Sequence, residues 1–221
     1  MVYEPSRQTT KTNMRRLNIP DVNTPSNYDD IYFGCDWFEI TGKANFEKFL
    51  SPLKGKPNLK FLEIGCFEGM ATCWLLENIL TAPSSKIHAI DTFEGSIEHV
   101  EGKLDLHSLE DVFRGNIEPF KDKVIVWKGY SQDILRKFEP NTRFDFVYVD
   151  GSHQAPDVLE DAILAFRLLN KNGIMIFDDY KWAKYDDRHM NPGMGIDAFI
   201  STFGNQLEVL LKEYQVVIRK I

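Results

Sequence analysis

The sequence predicts an α/β domain built on a doubly wound, mostly parallel sheet of seven strands with a C-terminal antiparallel hairpin. Two observations carry this. From Trp37 onward, short apolar runs of strand length alternate with stretches of helical period, and strands joined through helices pair in parallel. The last two apolar runs are parted only by a short turn, as in a hairpin.

The elements follow in order. Leu59 to Ile64 reads as the first strand, followed by a glycine-bearing turn from Gly65 to Gly69 and a helical run from Met70 to Leu80. Lys86 to Ile90 forms a second strand that ends at Asp91, and a polar, helix-like region around Ser108 to Phe113 leads to a third strand, Lys123 to Trp127. Phe144 to Val149 is the fourth. Between Pro156 and Leu169, Val158, Leu159, Ala162, Ile163, Ala165, Phe166 and Leu169 fall on one helical face. Pro156 and Asp157 suit its first turn and Asn170 to Gly173 its end. Ile174 to Phe177 makes the fifth strand, Gly195 to Phe203 a helix, and Leu207–Leu211 with Tyr214–Ile218 the closing hairpin.

The bulk properties narrow the function. The 221 residues, 43% hydrophobic and 27% charged, suit one globular domain. Residues 1–30 are polar, with Pro5, Pro20 and Pro25, and read as an extension; the domain proper is expected over 31–221. With 26 Lys and Arg against 33 Asp and Glu, the net charge of −7 disfavours nucleic acid as the partner; Arg15–Arg16 reads as a solvated pair. No apolar run approaches the roughly 20 residues of a membrane helix, and no signal-peptide core is visible, so a cytoplasmic protein without a membrane partner is expected. A homodimer is left open. Cys35, Cys66 and Cys73 are odd in number and lack metal-site spacing, which argues against a disulfide framework or zinc; Cys73 reads as a small buried hydrophobe.

In a doubly wound sheet, ligands bind beyond the carboxyl ends of the strands. Asp91, Asp150 and Asp178 all stand at such ends. The stretch "FLEIGCFEG" sets Glu63, Gly65 and Gly69 between a strand and a helix, where glycines permit a tight turn and close approach to a ligand. A dinucleotide fingerprint would carry glycine where Glu63 stands, and an acid is a poor neighbour for pyrophosphate. It suits a ligand with an ammonium group, while Asp91 is placed to accept hydrogen bonds from ribose hydroxyls. Asp150 taken alone reads equally as a turn acid before Gly151, and Asp178–Asp179 as a helix cap. Together, however, these carboxylates repel one another unless a cation or protons compensate. Oxygen ligands favour Mg²⁺, then Mn²⁺ or Ca²⁺.

This pattern resembles the class I S-adenosylmethionine-dependent methyltransferases. "GYSQDIL", "VYVDGSH" and "IMIFDDY" resemble successive motifs of the metal-dependent catechol O-methyltransferase group and of macrocin-type sugar O-methyltransferases, over about Leu59 to Tyr180. The resemblance implies a Rossmann-like methyltransferase fold, S-adenosylmethionine as cofactor, and Mg²⁺ (or Mn²⁺) held by Asp150, Asp178 and Asp179. It implies cofactor contacts from Glu63, Gly65, Phe67, Gly69, Asp91, Thr92, Ser131, Gln132 and Asp150, with Ser131 and Gln132 at the adenine. His153 matches the general base, with Asp150 beside it in catalysis; a structural histidine bracing the Gly151 turn is the competing reading. The chain departs from the catechol branch at Ala71, where a Ser is expected, leaving Thr72 or backbone to meet the methionine carboxylate. It also departs at Asp179, in place of Asn, and at Gln154–Ala155, in place of an aromatic. The implied reaction moves a methyl group to a hydroxyl of a sugar or glycan, or of a catechol-like small molecule; a non-catalytic binding protein on the same fold is the remaining reading. Tyr180, Trp182 and Tyr185 are expected to stack on the acceptor, and Trp37 and Phe38 to close over the cofactor or pack in the core.

Overall fold

The computed structural model describes Phe33, Phe38 and residues 41–96 and 106–221. The extension expected over 1–30, together with Cys35 and Trp37, lies outside the described residues. In chain order the elements are α1 (Lys43–Leu50), β1 (Lys60–Ile64), α2 (Met70–Asn78), β2 (Lys86–Asp91), α3 (Leu109–Ile117), β3 (Val124–Lys128), α4 (Ser131–Leu135), β4 (Phe144–Val149), α5 (Ala155–Leu168), β5 (Leu169–Phe177), α6 (Pro192–Phe203), β6 (Leu207–Lys212) and β7 (Val216–Lys220). The seven strands form one sheet in the order β3-β2-β1-β4-β5-β7-β6. Neighbours from β3 through β5 pair in parallel, and β7 runs antiparallel to both β5 and β6. The strand order reverses between β1 and β4, so the crevice that such a sheet offers a ligand opens at the carboxyl ends of those two strands.

Both faces of the sheet are covered, which is why the central strands are mainly apolar, interrupted by the buried Glu63 in β1 and by Asp145 in β4. Phe146 and Tyr148 of β4 pack with Phe46 and Leu50 of α1 and Trp74 and Leu75 of α2. Val147 and Val149, pointing the other way by the two-residue period of a strand, pack with Val158, Ala162 and Phe166 of α5 and with Ile196 and Phe199 of α6. Cys73 is buried against Phe113 and Ile117 of α3, as a small hydrophobe should be.

Several boundaries differ from the sequence expectation by a residue or more, and three of them bear on packing and the site. β5 begins at Leu169, so Asn170 to Gly173 extend the strand through a register shift opposite Phe144 and Phe146, with Asn172 at φ 62° and the Asn170 amide donating to Asp145 at 2.8 Å. α6 starts at Pro192, where the missing N–H costs nothing in a first turn. Most consequentially, Tyr214 and Gln215 belong to the turn before β7 and not to the strand. Helix α1, which the apolar alternation does not show, buries Phe46 and Leu50 completely.

Candidate active site

At the end of β1 the chain turns through Gly65 (φ 82°), Phe67 (φ 48°) and Gly69 (φ 86°) before α2. Gly65 is required by more than its dihedral angle. A Cβ there would lie 1.9 Å from the carbonyl oxygen of Asp150, so the β1 and β4 ends touch backbone to backbone. Asp91, at the end of β2, ties the loop down: its Oδ2 accepts the N–H groups of Cys66 (2.6 Å) and Phe67 (2.9 Å), and its Oδ1 accepts that of Phe93 (2.7 Å). Each carboxylate oxygen has two lone pairs. Oδ2 is therefore filled, and Oδ1 keeps one acceptor position. Asp91 is thus first the organiser of the glycine loop.

Glu63 lies beneath that loop, 1% exposed, and burial pushes its carboxyl from 4.5 up to about 8, against the Thr72 hydrogen bond that pulls it back and with the nearby Asp91 charge adding to the rise. Thr72 is wholly buried and donates to Glu63 at 2.6 Å. It is therefore not presented to a methionine carboxylate, which corrects one of the two donors expected there. Ser131 and Gln132 open α4 and line the same cavity, while the Ser131 hydroxyl donates to the buried Asp161 at 2.7 Å.

The acids at the ends of β4 and β5 make the other wall. Asp150, His153 and Asp179 bring ligand-capable atoms within 4.8 Å of one another, and His153 Nε2 stands 2.8 Å from Asp179 Oδ2. Asp178 stands beside this group with its oxygens engaged: Oδ2 accepts from the Tyr148 hydroxyl and from Gln215 Nε2 (3.0 Å), and Oδ1 from the Asp179 N–H (2.8 Å). Asp179 takes the left-handed conformation, φ 58°, and its Oδ1 accepts the Tyr214 hydroxyl at 2.5 Å. Burial first, and the charges of Asp178 and Asp179 next, push the Asp150 carboxyl well above the usual range; burial and Asp179 push Asp178 up to about 6. Burial and the hydrogen bond to Asp179 push the Tyr214 phenol up as well.

The donor set fits a hard divalent ion. Oxygens dominate, the convergent group holds no thiolate, and the crowding of like charge is what a cation relieves. Carboxylate oxygens suit Mn²⁺ as well as Mg²⁺. Asp178 Oδ1, with one donor on it, keeps an acceptor position.

A cavity of about 700 Å³ joins both walls, lined by Glu63, Gly65, Phe67, Asp91, Thr92, Ser131, Gln132, Asp150, His153, Asp178 and Asp179 among others. Of the expected cofactor set only Gly69 is missing from this lining; its role is at the amino end of α2, where a Cβ would meet the Phe113 ring at 3.0 Å. Trp182 and Tyr185 line the cavity, and the Trp182 ring lies 4.6 Å from that of His153. Tyr180 does not: its hydroxyl bonds Asp197 at 3.2 Å and its ring lies under Lys212. Phe38 packs in the core on Phe46 and Trp74 and at the same time lines the cavity. Where an aromatic was expected, Gln154 faces the cavity and Ala155 receives α6: a Cβ on Gly195 would sit 2.3 Å from the Ala155 carbonyl oxygen.

A family model described as a methyltransferase domain matches residues 62–180, more than half of the chain. The chain belongs to this methyltransferase family. A curated relative, an uncharacterized protein of Acanthamoeba polyphaga mimivirus, is 26% identical over 142 residues, which is 61% of this chain and 58% of that one. Among solved structures, a protein assigned as an rRNA-methylase of Clostridium thermocellum aligns with TM-score 0.62 at 13% identity, over 82% of this chain and 98% of that one. An O-methyltransferase of Bacillus cereus in complex with S-adenosylhomocysteine aligns at 0.55 and 19%, over 83% and 90%. The MycE methyltransferase of mycinamycin biosynthesis, in complex with Mg, S-adenosylhomocysteine and mycinamycin VI, aligns at 0.56 and 14%, over 86% of this chain and 50% of MycE. These likenesses carry the class I methyltransferase fold. Among the described residues, no helix of this methyltransferase is long and apolar enough to cross a membrane.

Sequence reasoning missed Tyr148, Tyr214, Gln215 and Asn45. The one signal available was Gln215, a polar residue at the head of the apolar run Val216 to Ile218.

Proposed function

We propose that this methyltransferase is an S-adenosylmethionine-dependent O-methyltransferase that uses a divalent ion and acts on a hydroxyl of a sugar or glycan. The observation that carries the reading is the convergence of Asp150, His153 and Asp179 on one wall of the cavity whose other wall is the glycine loop. Glu63, Gly65, Phe67, Asp91 and Thr92 would hold the cofactor's amino-acid and ribose portions, Ser131 and Gln132 its adenine, with Gly69 shaping the loop. Asp150, Asp178 and Asp179 would hold Mg²⁺ or Mn²⁺, which would supply Lewis acidity to an alcohol too weakly acidic to react by itself. His153 would take the hydroxyl proton, and Asp179, 2.8 Å from its Nε2, would accept from the imidazolium and stabilise it. Trp182 and Tyr185 offer flat apolar faces beside His153 on which a sugar or aromatic ring can stack, holding the acceptor in line with the methyl group.

MycE, in complex with Mg, S-adenosylhomocysteine and mycinamycin VI, supports the ion reading; the match of His153 to the base of macrocin-type sugar enzymes favours the sugar, and a catechol-like acceptor is the second reading, favoured by the motif order. The net charge of −7 speaks against an RNA acceptor. The test is methyl transfer from S-adenosylmethionine to a panel of rhamnosides, other deoxysugars and simple catechols, with EDTA and with Mg²⁺ restored. Turnover on a sugar that stops in EDTA and returns with Mg²⁺ is expected. Full activity in chelator would remove the ion from the proposal, and turnover on catechols alone would remove the sugar.

A further inference from the structure

The acids of the proposed ion site are held by residues from outside the segment that matches the methyltransferase family, which ends at Tyr180. The turn before β7 reaches over both neighbouring carboxylates: Tyr214 donates to Asp179 Oδ1 at 2.5 Å, and Gln215 Nε2 donates to Asp178 Oδ2 at 3.0 Å. Gln215 is completely buried, so its amide cannot turn to water for partners. Its orientation is fixed from behind, where Asn45 Nδ2 of α1 donates to Gln215 Oε1 at 2.9 Å. That contact commits the carbonyl end to Asn45 and leaves the NH₂ end for Asp178. The fit is close: a Cβ on Gly42, at the start of α1, would stand 3.2 Å from Gln215 Nε2. The turn is itself anchored, since the Tyr180 N–H donates to the Tyr214 carbonyl at 2.8 Å.

We infer that Gln215, oriented by Asn45, and Tyr214 are positioning residues that set the two β5 carboxylates for the divalent ion, so that α1 and the terminal hairpin complete the site. The inference rests on the proposed ion reading. Its chemistry is simple. Donors on the outer lone pairs hold each carboxylate in one rotamer and leave the remaining lone pairs for the cation, as supporting shells do around metal ligands. Gln215→Glu keeps the shape but puts an oxygen where the NH₂ stood, facing Asp178. Asn45→Asp turns the same contact around: an aspartate only accepts, so the Gln215 NH₂ swings to it and the carbonyl faces Asp178. Tyr214→Phe removes one hydroxyl and keeps the ring.

The experiment is Mn²⁺ titration of the full chain followed by electron paramagnetic resonance, with S-adenosylhomocysteine affinity measured by calorimetry on the same samples. Wild type is expected to bind Mn²⁺. Gln215→Glu and Asn45→Asp should each weaken that binding by about 10–100-fold, the usual worth of a supporting residue, and Tyr214→Phe by less. S-adenosylhomocysteine affinity should stay within about twofold in all three. Unchanged Mn²⁺ affinity in Gln215→Glu and Asn45→Asp, with wild type binding, overturns the positioning role while sparing the ion reading. Parallel loss of both ligands in all three variants would make these residues general packing and also overturn it. No Mn²⁺ binding by wild type would remove the ion reading and the inference together.

Discussion

At the end of β2 one carboxylate, Asp91, is surrounded by backbone donors, whereas at the ends of β4 and β5 three carboxylates crowd together and side chains hold two of them. The donors to Asp91 are the N–H groups of Cys66, Phe67 and Phe93, all within 25 residues of it. The donors to Asp178 and Asp179 include Tyr148, Tyr214 and Gln215, the last two more than 30 residues away. Backbone donors come with the turn itself, so the first wall is complete once the loop has formed. The second wall keeps a crowding of acids whose carboxyls are pushed up by burial and by one another, a crowding that protons or, in the proposed reading, a cation would relieve. The two walls meet at Gly65, against the Asp150 carbonyl.

The contrast can be broken from the acid side with the largest effect. His153→Ala should lower turnover by roughly 10²–10⁴-fold, the worth of a positioned base, and Asp179→Ala by at least as much. Affinity for S-adenosylhomocysteine should barely move in either, because the cofactor wall is separate. Calorimetry beside the turnover assay checks this; a large common loss of cofactor binding would show that the walls are one unit.

A smaller effect is expected from the other side. Asp91→Ala should weaken S-adenosylhomocysteine binding by about 1.5–3 kcal/mol, the scale of hydrogen bonds to a charged group. It should also speed hydrogen exchange at the amides of Cys66, Phe67 and Phe93, since their acceptor is gone. Protection that survives the substitution would mean that the loop holds its shape without Asp91.

The smallest effect sharpens the comparison through pH. Glu63 is pushed from 4.5 up to about 8 by burial, so the folded protein holds a proton there that the unfolded chain releases. Its contribution to stability is full below about 4.5 and is lost as pH rises through about 8. Asp161, raised by burial to about 7, acts in the same direction. Stability measured by denaturant unfolding should therefore fall from mildly acid to mildly alkaline pH. Glu63→Gln should flatten that fall, and an unchanged slope would mean that Glu63 is ionised in the fold.

The alternation of apolar strands and helical runs determined the sheet and its parallel core, because a strand buried on both faces must be mainly apolar. Local pattern also placed Gly65, Asp91, Asp150, Asp178 and Asp179 at strand ends, since an acid or glycine directly after an apolar run is visible without any partner. The order of strands and acids likewise showed the kinship with methyltransferases. Tertiary structure alone decided what each acid does with its lone pairs. Asp91 turned to its own loop, Thr72 to Glu63, and Tyr180 to Asp197, three choices set by which donor lies within 3.5 Å. Asn45 and Gln215 are 170 residues apart in sequence and 2.9 Å apart in the fold. No periodicity records such a contact, because it arises from packing α1 against the hairpin turn.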